Sequence, residues 1–323
     1  MEYRRVGNSG LRVSEISLGA WLTFGASVNE DVTRDCVKAA LESGINFLDL
    51  ADIYALGEAE RTVGRVIRDL GVRRQDLVLS SKVYWPMSEG INDRGLSRKH
   101  IMESIEASLR RLGTDYLDLY FCHRYDPDTP VEEVVRAMDD LVHQGKVLYW
   151  GTSVWSAAQI ESAVGAAEAV HAYRPQVEQP RYNMLDRHIE PEIVPVCDRH
   201  GIGLTVFSPL AQGLLTGKYN EGVPPESRGA TSHWLDRELT LENLMRVRAL
   251  SRLALDWGLT PSQLALAWIL RLPQVCAVIT GASNARHVLD NVRAAEVHLD
   301  KEMLEHVEYV LSGEKTASEG PKG

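Results

Sequence analysis

The amino-acid pattern predicts an α/β protein: a (β/α)8 barrel preceded by an N-terminal β-hairpin, with long loops on the face where the strands end. Two observations predict it. Eight short apolar runs alternate with segments whose apolar residues recur at helical spacing, which is the signature of parallel βαβ units. Six of these runs also deliver a polar side chain at or just past the C-terminal end, where a barrel gathers its active site. An open, doubly wound sheet is the structural alternative.

Residues 3–18 open the chain as a hairpin. Tyr3 to Val6 leads into a Gly7, Asn8, Ser9, Gly10 turn whose residues accept left-handed backbone, and a second strand begins at Leu11. The apolar runs then fall at 16–18, 46–50, 77–82, 116–122, 147–151, 176–179, 203–207 and 275–280. Helical spacing marks 32–43, 59–70, 97–112, 131–143, 160–169, 190–199 and 241–257. Ser97 stands where an N-cap belongs, and Thr129 with Pro130 where a cap and a first-turn proline belong. Two stretches break the alternation: 84–96 after the third run and 208–240 after the seventh. Loops of that length in a compact domain are functional lids or disordered segments. Residues 1–312 are therefore expected to form one domain, and 313–323 a disordered tail.

Composition narrows the classes. With 44% hydrophobic and 25% charged residues over 323 positions, the chain can bury a large core without metals or disulfides. A net charge of -10 argues against nucleic acid as the main partner, since phosphate backbones need a concentrated basic surface. A small anion held by a few local Arg and Lys residues stays open. Cys36, Cys122, Cys197 and Cys276 lie far apart with no CxxC pair, so reduced thiols are expected and no metal site. Neither a signal-like stretch nor an apolar run near the ~20 residues of a membrane span is present, which predicts a cytoplasmic protein without membrane insertion.

The strand-end residues carry the chemistry. They are Asp49, Lys82, His123, Ser153, Gln179 and Ser208 from the second to the seventh run. Tyr54 lies only five positions beyond Asp49, too few for an intervening helix, so both can face the barrel mouth. A tyrosine with its usual pKa near ~10 is a reluctant acid at neutral pH. A buried lysine beside it would stabilise the phenolate and bring that value down, and Asp49 could balance the lysine. His123 offers a donor that could orient a carbonyl oxygen, and the set suits carbonyl reduction with a general acid. Trp21, Tyr84 and Trp85 follow the first and third runs and are expected, with Tyr54 and His123, to wall a substrate pocket. The stretch from Gly213 to Lys218 is one residue short of a P-loop and is followed by Tyr219, not Ser or Thr. No GxGxxG follows a strand, which disfavours a Rossmann domain.

With these residues in place, the chain resembles the aldo-keto reductases from about Tyr3 to Leu311. The resemblance rests on GNSGLRVSEISLGAW (7–21), LDLADIYALGEAE (48–60), RGLSRKHI (94–101), YWGTSVWS (149–156), SPLAQGLLTGKY (208–219) and ITGASNARHVLDN (279–291). The branch resembled holds the β subunits of voltage-gated potassium channels and their bacterial reductase relatives. The resemblance implies a TIM barrel with Tyr54 as general acid, Lys82 and Asp49 tuning it, and His123 positioning the carbonyl of an aldehyde or ketone. The channel subunits tend to carry asparagine at that last position, so His123 points toward a working reductase.

The resemblance also implies NADP(H) across the barrel mouth, with contacts from Trp21 and Asp49. Ser153 and Gln179 would hold the carboxamide, and Tyr182 or Phe207 would stack on the nicotinamide. Ser208, Pro209, Leu210, Ala211, Gly213, Lys218 and Arg228 would line the pyrophosphate. Gly281, Ser283, His287, Asp290 and Asn291 match the 2′-phosphate and adenine positions. Many relatives place a basic residue where Gly281 and His287 stand, and Arg286 is the neighbouring substitute, which leaves NAD open beside NADP. Val154 replaces an arginine and Leu50 a threonine. The rival reading is a non-enzymatic NADP(H)-binding subunit that reports redox state to a channel-like complex. Relatives in this branch form tetramers, so a homo-oligomer is a further expectation.

Overall fold

The computed structural model describes residues 1–225 and 227–313, and of Trp234 the backbone alone. From residue 314 on, the expected disordered tail lies outside the described residues. Strands β1 (Tyr3–Arg5) and β2 (Arg12–Ser14) pair antiparallel, with Arg4 opposite Val13. Eight further strands close a barrel: β3 (Ile16–Gly19), β4 (Phe47–Asp49), β5 (Val78–Val83), β6 (Leu117–Cys122), β7 (Val147–Thr152), β8 (Val177–Glu178), β9 (Gly203–Val206) and β10 (Val275–Gly281). Their order around the ring is β10-β3-β4-β5-β6-β7-β8-β9, every pair parallel. This is the (β/α)8 barrel expected, and it excludes the open sheet.

The hairpin seals the N-terminal end of the ring. Val6 and Val13 are fully buried against Phe47, Val78, Leu119, Phe121, Val177, Cys276 and Ala277, all inside or below the barrel. The Asn8 amide donates to Gly201 O at 2.8 Å, and a Cβ on Gly7 would lie 2.2 Å from that same oxygen. With the bottom plugged, the opposite rim is where ligands can enter.

Helices α1 (Glu30–Glu42), α2 (Glu58–Asp69), α3 (Arg98–Leu112), α4 (Val131–His143), α5 (Ala157–Ala169), α6 (Ile193–His200), α7 (Arg228–Thr231), α8 (Leu241–Asp256), α9 (Pro261–Leu270), α10 (Ala285–Val292) and α11 (Lys301–Ser312) complete the described elements. Local chemistry starts several of them. Asn29 accepts from the Val32 amide, Ser97 from His100, and capping boxes open α5 (Ser156, Gln159) and α9 (Thr260, Gln263). At α4 the expectation needs correction: Pro130 itself is the N-cap, and the Thr129 hydroxyl donates to Asp126 Oδ2 at 2.8 Å. The periodicity also missed α9, α10 and α11. Every residue of α9 after Pro261 is buried, so that helix has no polar stripe to reveal its turn. Of the two long loops, 84–96 carries no helix, whereas 208–240 contains α7 and two 3-10 turns (Ala211–Thr216 and His233–Leu235).

Buried carboxylates brace the loops at the open rim. Asp52 accepts from the Ile53 amide and from Ser104 of α3 at 2.9 Å. Next to it Glu60 binds Ser81 and Arg111, so the turn carrying Tyr54 is tied to both the barrel wall and α3. Burial, then the neighbouring Glu60, push Asp52 up to about 7. Across the ring, Glu178 accepts from Thr152 Oγ1 at 2.5 Å and from the Trp155 amide at 3.3 Å. It thereby fixes a turn in which Val154 has a φ of 58°.

Two stability predictions follow from this packing. A Cβ at Gly64 would sit 2.4 Å from the Leu112 carbonyl oxygen, where α2 presses on the end of α3. Gly64→Ala should therefore destabilise by about 2 kcal/mol or more, although alanine gains about 1 kcal/mol in helix propensity. A thermal midpoint at or above that of the parent would contradict it. Burial pushes Glu178 from 4.5 up to about 7, so the folded state keeps a proton that the unfolded chain has released. That stabilisation is complete below about pH 4.5 and is lost, by at most about 1.4 kcal/mol per pH unit, as pH rises to about 7. The parent's midpoint minus that of Glu178→Gln should fall from about pH 5 to about pH 8, because glutamine stays neutral while the parent carboxyl ionises; a constant difference would refute the assignment.

Candidate active site

Register brings the site together. Asp49 on β4 pairs with Ser80 on β5, and Lys82, two residues on, projects from the same face. The Lys82 ammonium is fully buried and donates to Asp49 Oδ2 at 2.7 Å, to Leu50 O at 2.6 Å and toward Tyr54 Oη at 3.3 Å. These three contacts use its three protons. Asp49 Oδ1 accepts from Ser80 Oγ at 2.7 Å and from Gln179 Nε2 at 3.0 Å, so both carboxylate oxygens are engaged.

Tyr54 heads a 3-10 turn, Tyr54–Gly57, in which Ala55 and Leu56 both adopt left-handed backbone with φ of 49° and 51°. Non-glycine residues hold that conformation only where the surroundings impose it, and the Asp52 and Glu60 braces supply the constraint. His123 meets the Tyr54 ring edge-on with centroids 5.9 Å apart, and Trp85 stands 6.3 Å from its other side. Tyr84 in turn packs edge-on against Trp85 at 5.1 Å. Trp21 lies half-buried just past β3.

The electrostatics differ in one respect from the sequence reading. Burial first, and Asp49 next, raise the Tyr54 phenol well above 10, with Arg124 opposing. Lys82 does not bring the resting phenol below its ordinary value; desolvation outweighs the nearby cations. Burial also lowers Lys82, against the pull of Asp49. His123 is driven well below 6.5 by burial, then by Lys82 and Arg124, so its imidazole is neutral at physiological pH. Its Nδ1 is buried without a hydrogen-bond partner among the described residues.

The remaining strand-end residues line the rest of the rim. Ser153 Oγ donates to Gln179 O at 2.9 Å, and both residues are buried. Of the two aromatic candidates for stacking, Tyr182 is excluded. Its ring stacks on Trp268 at 5.4 Å, and its hydroxyl is engaged by Glu190 and Arg271 in the layer between barrel and helices. Phe207, at the end of β9, is half-buried and outside both core clusters. After it the backbone turns through left-handed Ser208, Ala211, Gln212 and Gly213. Pro209 is buried there, and Leu210 packs on the core.

The Lys218 side chain lies 2.8 Å from where a Cβ on Gly213 would be, and the Arg228 guanidinium binds Gln212 Oε1. At the end of β10, Gly281 has open space where a side chain would stand, while Ser283, Arg286 and His287 beyond it are exposed. Burial, then Lys218, lower His287. Asn284 caps α10 by accepting from the His287 amide. Asp290 is engaged elsewhere: it accepts from Gln263 at 2.7 Å and from Thr260 at 3.2 Å, at the start of α9. Asn291 is buried.

Sequence reasoning missed several members. Ser80, a partner of Asp49, could have been found from the period of two along β5; Gln179, named as a strand-end residue, is the second partner of the same oxygen. Gln212 and Asn183 fix the Ser208 turn through Ser208 Oγ and Ser208 O, and no local pattern signals that. Arg124 directly follows His123, and the strand-end pattern does not single it out. Cys122 points away from His123 into the layer under the helices, and all four cysteines are buried and unpaired. Among the described residues there is no cluster of metal-ligating side chains, and no helix long and apolar enough to cross a membrane.

Comparison with known proteins agrees with this geometry. The Aldo/keto reductase family model matches residues 15–311. A protein of Arabidopsis thaliana named "Probable voltage-gated potassium channel subunit beta" is 46% identical over 96% of this chain and 97% of its own length. One of the same name from Oryza sativa subsp. japonica is 43% identical over 99% of both chains. The chain belongs to the aldo/keto reductase family.

Proposed function

We propose that this protein reduces aldehydes and ketones to alcohols with NADPH as the reductant. The observation that carries the reading is the continuous contact chain from Asp49 through the buried Lys82 to the Tyr54 hydroxyl, with neutral His123 beside it. A structural ion pair has no need of a phenol at the third ammonium contact.

The rim residues fit a nicotinamide dinucleotide phosphate. Phe207 is a half-buried aromatic just past β9 and outside the core clusters, and Ser153 and Gln179 offer paired polar groups for a carboxamide. Lys218, Arg228 and Arg286 supply positive charge beside the left-handed turn after β9 and the start of α10. No carboxylate meets any of the three at ion-pair distance among the described residues. Arg286 on the first turn of α10, with the open position above Gly281, favours a 2′-phosphate and hence NADPH over NADH. When bound, the nicotinamide supplies the hydrogen and electron pair that the carbonyl carbon accepts.

The chain's own groups handle the oxygen. Tyr54 holds its proton at rest, because burial keeps the phenol above its ordinary pKa, and passes it to the carbonyl oxygen as charge develops there. Lys82, 3.3 Å from that hydroxyl, stabilises the phenolate left behind. Asp49 keeps the ammonium charged and aimed. His123 is neutral and can offer one N–H. Its buried Nδ1 has no acceptor nearby, and an orphaned N–H is harder to accommodate than an orphaned lone pair, so the proton sits on Nε2 and can donate to the substrate oxygen.

The names of the plant relatives supply a second reading, a channel-associated subunit that holds the cofactor without turning over. One experiment separates the two: purified protein, NADPH and a panel of aldehydes, with absorbance followed at the nicotinamide band. Turnover is expected, and a variant Tyr54→Phe should lose about 100-fold or more in kcat with NADPH affinity within a few-fold of the parent. Tight NADPH binding without turnover in the parent would favour the channel-associated reading. Undiminished reduction by Tyr54→Phe would remove Tyr54 from its role.

A further inference from the structure

Half-buried arginines in this protein find carboxylates. Arg4, Arg34, Arg65, Arg74, Arg111, Arg174, Arg181, Arg187, Arg246 and Arg271 each do so. Among the described residues only Arg124 and Arg228 of this half-buried group meet none at ion-pair distance. In a chain of net charge -10 acidic partners are plentiful, so two unpaired guanidiniums at the rim are an exception to explain.

They stand on different sides of the mouth. Arg228 belongs with Lys218 beside the turn after β9, where the phosphates of a dinucleotide are proposed to lie. Arg124 follows β6, four places around the ring from β10 and three from β9, and so is remote from that basic group. Its guanidinium lies over the Trp85 ring, 5.7 Å from the centroid, and one of its nitrogens donates to the His123 carbonyl oxygen. Contacts run from Arg124 to Trp85, from Trp85 to His123 and from His123 to Tyr54, so the cation borders the space where a reacting carbonyl must sit. Its charge is felt at the Tyr54 hydroxyl and at Lys82.

We propose that Arg124 is a specificity-determining residue that binds a carboxylate on the substrate, so that the preferred carbonyl compounds are oxo-acids carrying their anionic group a few bonds from the carbonyl. The proposal rests on the carbonyl-reducing reading above. A guanidinium presents paired N–H donors that match a carboxylate's two oxygens, and the Trp85 ring and the His123 carbonyl hold this one beside the mouth with nitrogens to spare. The competing explanation is that Arg124 only balances the buried charge of Glu178, which lies within electrostatic range but beyond ion-pair distance.

The test compares 4-formylbenzoate with its methyl ester as substrates of the purified protein with NADPH. The parent should favour the acid over the ester on the order of ten-fold or more in kcat/KM, chiefly through KM, since a hydrogen bond to a charged group carries that much. Arg124→Met should bring the ratio close to one, and Arg124→Lys should keep part of it. A parent without preference, or a preference that survives in Arg124→Met, overturns the proposal. A ratio unchanged beside a lowered thermal midpoint assigns Arg124 to Glu178 instead. Calorimetry with benzoate against benzamide provides a second readout that needs no turnover. Binding of benzoate that is lost in Arg124→Met supports the carboxylate site even if neither aldehyde is reduced, an outcome that would count against the reductase reading alone. Equal binding of both compounds sinks the site.

Discussion

The open end of this barrel is organised around one buried charge. Lys82 has no exposed surface, and an ammonium taken wholly out of water is tolerated only when its protons are all engaged and a counter-charge is in contact. Asp49 supplies the counter-charge and Leu50 O a second acceptor, which leaves Tyr54 Oη as the third. The obligation then spreads. Asp49, itself buried, spends its other oxygen on Ser80 and Gln179, and Gln179 reaches on toward Thr205. One charge thus links β4, β5, the end of β8 and β9, and the phenol is placed as part of satisfying it. A group positioned this way needs no reorganisation when a substrate arrives, which is what makes fixed dipoles and charges effective in catalysis.

The barrel was legible in the sequence because its strands are short, apolar and interrupted by turn residues. Parallel strands buried on both faces cannot be written otherwise. The hairpin was legible from Gly7, Asn8, Ser9 and Gly10, although its use as a plug was not: that depends on Val6 and Val13 meeting Phe47 and Val177, which are remote in the chain. Of the helices missed, α9 escaped for a physical reason. α9 is packed among β10, α8 and α10, is buried on all sides, and offers no 3.6-residue alternation to detect. Its capping box and Pro261 were the available signals, and they lie outside any periodicity.

The candidate site divides along the same line. Asp49, Lys82, His123, Ser153 and Gln179 could be named because a closed parallel barrel turns a sequence position, the strand end, into a spatial one. Where the deciding fact is direction, the sequence had no purchase. Tyr182 and Phe207 both follow strands, yet Phe207 stays half-buried outside the core clusters, whereas Tyr182 is turned under the helices toward Trp268, Glu190 and Arg271. The resting state of Tyr54 was misjudged for a related reason. A neighbouring lysine can be inferred from spacing, but the desolvation that outweighs it is a property of the whole packed environment.

If Tyr54 is the proton donor proposed above, that upward displacement decides the state in which it meets a substrate. A phenol held above its ordinary value is a weaker acid, which taken alone would slow proton donation. It is also never empty near neutral pH, so the donor is loaded each time a carbonyl enters. The base it must protonate is an alkoxide in the making, far stronger than any phenolate, and the transfer is downhill even from a raised phenol. In the opposite sense, oxidation of an alcohol would need Tyr54 already ionised, a state that burial and the Asp49 charge both disfavour. On the proposed reading of Tyr54 as proton donor, burial and the Asp49 charge keep that donor protonated, while Lys82, which places the phenol, stabilises the phenolate it leaves.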